Sequence, residues 1–106
     1  MFDLGTSLDL QKIYIWQMNQ TNNLGRGVQQ FDVLISNDAA AWQNPAHASW
    51  NEVLTDKILL QSSGGDVPVQ AFSLIGKVQY VMINADSNYD GSNYTGLAEV
   101  RFGVYD

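Results

Sequence analysis

The chain has no cysteine, two prolines, a single histidine and five lysines and arginines among its 106 residues. Each shortage excludes something. Without cysteine there is neither a disulfide framework nor a thiolate metal site, so the fold must rest on a packed core. His47 has no second histidine with which to hold zinc, and no GxSxG elbow accompanies it. The five cations, Lys12, Arg26, Lys57, Lys77 and Arg101, leave a formal charge of −6. That sign and scarcity argue against nucleic acid, whose phosphates require clustered cations, and against an anionic membrane surface. No apolar run approaches the roughly 20 residues that cross a bilayer, and no basic stretch leads into an apolar one at the start. Membrane insertion is therefore not expected. Glycine-rich phosphate loops are absent too, and nothing marks a pair of catalytic carboxylates.

What the chain does have is asparagine, glutamine and aromatic residues. A neutral, hydrogen-bonding surface set with rings suits sugars, whose hydroxyls pair with amides and carboxylates and whose C–H face lies against a ring. The length fits one domain, able to bury roughly two thirds of the surface of its unfolded chain.

Period-two alternation dominates the sequence. Met1 to Gly5 reads as a short strand ending in a turn. Leu10 to Met18 is the next strand, with Ile13 and Ile15 on one face and Tyr14, Trp16 and Met18 on the other. An Asn-rich connection, Asn19 to Gly27, leads into Val28 to Ser36, and these two strands read as an antiparallel pair. Ser36 to Trp50 has no period; Ala39 to Ala41 predict one turn of helix capped by Asn37 or Asp38 and stopped by Pro45. Glu52 to Leu60 and Val67 to Leu74 are shorter strands separated by a turn at Gly64 and Gly65. Val78 to Ile83 and Ala98 to Tyr105 complete the set, and between them lies NADSNYDGSNYTG, a polar loop bearing aromatic rings. No long helix is evident, so the expected class is all-β, a sandwich or barrel.

Within that loop, Asp86 to Gly91 places oxygen side chains at positions 1, 3 and 5 and glycine at 6 of a calcium loop. Position 12 is Leu97 where a bidentate Glu belongs, and strands flank the loop, so a polar turn is the expectation. Trp16, lying in a strand, is assigned to the core. Trp50 is also assigned to the core, Trp42 to an exposed platform or a ring folded over its own loop, and His47 to solvent.

Four stretches, DLG at Asp3 to Gly5, IYIWQMN from Ile13, RGVQQFDVLISND from Arg26 and SNYDGSNYTGLAEVRF at the end, occur in the order of a known pattern. The chain resembles the discoidin or coagulation-factor type C family, whose bacterial members are often family 32 carbohydrate-binding modules. That resemblance implies a jelly-roll antiparallel β-sandwich, galactose-binding-domain-like, that binds ligands and performs no chemistry. It also implies a place outside the cell, periplasmic or on the cell surface, as part of a larger protein. The loops Asn19 to Gly27 and Asp86 to Tyr94 are then expected at one end, with Asn19, Asn22, Asn23, Arg26, Asn88, Tyr89 and Tyr94 as the glycan-binding set. Galactose-binding relatives carry an Arg near the position of Asn19 and an Asn near Gly25; this chain has neither, so sugar binding is implied without galactose. The family's calcium site would use Glu99 with carbonyls and an Asp from a segment ahead of the DLG. Relatives carry further residues there, so this sequence is expected to be an excised piece, a shortened relative or a compact variant. A protein-interaction or adhesion domain, self-associating through an open sheet edge, is the alternative.

Overall fold

The computed structural model describes residues 1–64 and 68–104. The turn at Gly65, the start of the strand expected from Val67 and the final Tyr105 lie outside the described residues. The described chain is nearly all β, as its alternation indicates: β1 (Phe2–Gln17), β2 (Val28–Ser36), β3 (Asn51–Ile58), β4 (Gln70–Asn88) and β5 (Leu97–Val104). They form one antiparallel sheet in the order β3-β2-β4-β1-β5. Two short 3-10 turns, Thr21–Arg26 and Ala39–Ala41, occupy connections. The second is capped as its sequence predicts, Asp38 accepting a hydrogen bond from the Ala40 N–H at 2.9 Å.

β1 and β4 each fuse two expected strands. In β1 the join is a bulge at Gly5, whose φ of 84° favours glycine; register slips between Asp3 and Leu8, and pairing with β4 then resumes. In β4 the join lies near Gly76, φ 153°, opposite a second slip between Leu10 and Lys12. The two long strands therefore bend without ending. Phe31 of β2 stands opposite Ala85 of β4. Phe72 lies 13 residues earlier on β4, which a straight strand would place about 43 Å away at roughly 3.3 Å per residue. The molecule's longest dimension is 38 Å, and the Phe31 and Phe72 rings meet at 5.3 Å. The sheet is thus folded over, with its concave side closed on itself.

That concave side is the core: Leu10, Ile13 and Ile15 from β1, Phe31 and Val33 from β2, Leu74, Val78 and Val81 from β4, and Leu59 after β3. Each such side chain, fully buried, contributes roughly 1.5–3 kcal/mol. Four sequence assignments are corrected here. β1 and β2 do not pair; β1 pairs with β4 and β5, β2 with β3 and β4. Their connection works as a corner between two parts of the folded sheet, and the buried Gln17 side chain joins the strand ends in place of a ladder, bonding both the N–H and the C=O of Val28. Trp16 is not core: it lies half-buried on the convex side with the Arg101 guanidinium 5.5 Å from its ring. Trp50 is also outside the core, half-buried and donating its indole N–H to the Asn44 carbonyl. Trp42 leans on Tyr80 at 5.9 Å. His47 is half-buried as well, its Nδ1 accepting from the Ser49 N–H at 3.1 Å.

Candidate functional site

Two connections meet at one end of the folded sheet. The Gly25 carbonyl accepts from the Asp90 N–H and the Arg26 carbonyl from the Gly96 N–H, both at 2.9 Å. Gly27 and Gly96 add a parallel bridge. This seam requires a small residue at position 25, where a Cβ would stand 2.6 Å from the Asp90 Cβ. The Arg26 guanidinium lies 4.7 Å from the centre of the Tyr94 ring, an attraction worth roughly 0.5–1 kcal/mol at an exposed site. Asp90 closes the seam; the Ser92 backbone N–H, then the Ser92 hydroxyl and nearby Arg26, hold its carboxyl below the usual range.

The expected binding residues divide into two groups. Asn19 and Asn22 are exposed, Asn23 bonds Gln20, and Tyr94 is 66 % exposed beside Arg26. Asn88 and Tyr89 hold the loop instead. The Asn88 amide donates to the Ser92 and Tyr94 carbonyls and accepts from the Gly91 N–H. The Tyr89 hydroxyl donates to the Leu59 carbonyl and so ties the loop to the chain after β3. The span Asp86 to Gly91 is not a calcium loop: β4 runs on to Asn88, and Asn88 and Asp90 spend their oxygens on Gly91 and Ser92.

Between the end of β4 and this braced loop lies a cleft of about 320 Å³, lined by Ala85, Asp86, Ser87, Asn88, Gly91, Ser92 and Thr95. It is at the low end of the range for small-molecule sites. Its lining is mostly polar, bringing hydroxyl, amide and carboxylate residues together with Ala85 and Gly91. A second hollow of about 270 Å³ shares Ala85 and Thr95 with it and is mostly apolar, with Met1, Phe2, Val28, Ile83 and Leu97.

At Asp86 the cleft adjoins a feature the sequence did not reveal. Asp32, Asp56 and Asp86, from β2, β3 and β4, bring a carboxylate oxygen each to within 4.8 Å of one another. Two bulges deliver them. Between Phe31 and Val33 the facing β3 spans Lys57 to Leu54, one residue more, and Asp56 sits in that bulge at φ 51°. Between Gln30 and Phe31 the facing β4 spans Ser87 to Ala85, and Asp86 is the extra residue. The Asp56 N–H donates to Asp32 at 2.7 Å. Partial desolvation, then the charge of Asp32, raises the carboxyls of Asp86 and of nearby Glu52 above the ordinary range. Among the described residues these three aspartates are the group able to hold a metal ion. Glu99 is not part of it: its carboxylate pairs with Arg101 at 3.1 Å, opposite Trp16 on the convex side.

No family model, no curated protein and no solved structure matches this chain.

Proposed function

We propose that this protein is a non-catalytic glycan-binding module of the discoidin-like, jelly-roll kind, exported or carried on a larger protein, with its site where the 19–27 and 86–95 loops meet. The observation that supports this most is the cleft beside Asn88, whose polar lining matches sugar hydroxyls; Tyr94 of the same loop, exposed beside Arg26, adds a ring for sugar C–H groups. The loop is braced by its own hydrogen bonds before any ligand arrives, which lowers the ordering cost of binding. A thermal-shift and glycan-array panel, with calcium and again with chelator, tests the reading on wild type and on Ser92→Ala with Tyr94→Ala. A sugar that binds wild type and loses about tenfold or more on the double variant supports it. Silence across the panel overturns it.

The alternative, an adhesion or interaction domain pairing through a sheet edge, would use β3 or β5, the two edge strands. β3 carries Glu52, Asp56 in its bulge and Lys57, features that disfavour strand addition. β5 is the edge that reading needs, with Val104 43 % exposed. Mass measured by light scattering over a hundredfold concentration range separates the two.

A further inference from the structure

Resting on that reading, we infer that the apolar hollow beside the cleft is a second compartment of the same site. It holds an apolar substituent on the sugar, so the module takes sugars carrying a short alkyl group ahead of the same sugars without one. The hollow exists because β1 and β4 separate. Their pairing ends at Phe2 opposite Val81, and beyond it, among the described residues, Ile83 and Ala85 have a strand on the β2 side only. Phe2, Ile83 and Leu97 pack against the core yet stay half-exposed, and with the buried Val28 they line the opening. Apolar surface held in a concavity is stabilised by an apolar group that displaces its water. Both rims are fixed. The Phe2 ring stands edge-on to Phe102 at 5.4 Å, and on the far side the Gly96 N–H donates to the Arg26 carbonyl at 2.9 Å. Size and position then select the occupant. At about 270 Å³ the hollow is smaller than the roughly 300–1,000 Å³ of a whole small-molecule site, so by itself it suits one part of a larger ligand. It meets the polar cleft at Ala85 and Thr95, both exposed, and the Thr95 hydroxyl accepts from the Asn88 amide at 3.3 Å. A ligand seated across that join is polar at one end and apolar at the other: sugar hydroxyls against Ser87, Asn88 and Ser92, an alkyl group against Ile83 and Leu97.

Titration calorimetry compares the methyl and butyl glycosides of glucose, mannose and N-acetylglucosamine, with butanol alone as an apolar probe. Three methylenes separate the two glycosides, each worth up to roughly fourfold when fully buried. Expected, for a sugar that binds, is a butyl form on the order of 10–30-fold tighter than the methyl form, with no measurable binding of butanol. Ile83→Thr keeps a β-branched residue in the strand and makes the hollow polar; it should cut the butyl-to-methyl ratio to about threefold or less, and Ile83→Leu should restore it. Ile75→Thr, at an apolar β4 residue that is 69 % exposed and lines neither hollow, leaves the ratio as in wild type. In wild type, the NMR signals of the Ile83 and Leu97 methyl groups should move with the butyl glycoside and stay in place with the methyl one, a readout that does not depend on the variants folding. A ratio near one for every sugar that binds overturns the inference, as does loss of the ratio in Ile75→Thr, or butanol binding as tightly as the butyl glycoside. A mass that rises with concentration, and no longer does so in Ile83→Thr, puts a second copy in the hollow and overturns it too. If none of these glycosides binds while another glycan on the array does, the apolar compartment fails and the module reading stands; if no glycan binds at all, the module reading itself fails.

Discussion

Phe31 and Phe72 meet edge to face, their ring centres 5.3 Å apart and their planes at 84°, although they come from strands that pair with each other only far from Phe72. The contact records the folding-over of the sheet, because only a bent β4 brings its first half above β2. Phe31→Ala is expected to cost about 3–5 kcal/mol, a large part of the roughly 5–15 kcal/mol that holds a domain together. A double-mutant cycle with Phe72→Leu, followed by urea unfolding, should return a coupling of about 0.5–1.5 kcal/mol. Additive losses would mean that the bend forms without the ring pair.

Gln17 is fully buried and joins the end of β1 to the start of β2. Its amide accepts from the Met18 and Val28 N–H groups and donates to the Val28 and Leu60 carbonyls. Gln17→Leu keeps the bulk and orphans these groups, two of them deep in the core, each costing roughly 1–3 kcal/mol. A total loss of about 3 kcal/mol or more is expected from chemical denaturation. Gln17→Glu should be worse at neutral pH than in acid, since it sets a charge against two carbonyls.

The loop residues predict a separation of stability from binding. Tyr89→Phe removes one hydrogen bond to Leu59 and is expected to cost about 1 kcal/mol while leaving sugar affinity unchanged. Asn88→Ala unties Gly91, Ser92 and Tyr94 together. Binding should fall by about tenfold or more as the cleft loses its preformed shape. Calorimetry on both variants, alongside their melting curves, checks the contrast.

The carboxylates set the pH dependence, and two signs oppose. Glu52 and Asp86 have raised folded-state values, through partial desolvation and then the charge of Asp32. The folded chain then holds more protons than the unfolded one just above the ordinary carboxylate range, so stability falls as pH rises through that window and levels off above it. Asp90 is lowered by its Ser92 bonds, so its contribution is present above the ordinary range and is lost as pH falls through the lowered value. Melting of Asp86→Asn should therefore exceed wild type near about pH 7, with the gain shrinking toward about pH 4. Asp90→Asn should show a deficit that shrinks in acid.

The sequence by itself determined the strand content, because period-two alternation is local: β2 falls on Val28–Ser36 as its pattern predicts, and Asp38 caps its turn. That the Asn19 to Gly27 and Asp86 to Tyr94 loops meet is shown by the hydrogen bonds between them; the expectation that they share an end comes from the resemblance and not from any local pattern of the residues. The sequence did not determine which face of β1 looks inward. Ile13 and Ile15 oppose Tyr14 and Trp16, both sets apolar, and only the bend of the sheet puts the isoleucines on the concave side. Gly5 reads as a turn, and Gly76 falls in the gap between two expected strands, because a permissive residue looks the same locally whether the chain reverses or merely bulges; the continuing ladder on neighbouring strands decides for the bulge. The cluster of aspartates was invisible for the same reason. Asp32, Asp56 and Asp86 are far apart in sequence on three strands, and two one-residue slips of register, which alternation does not record, turn them toward one point.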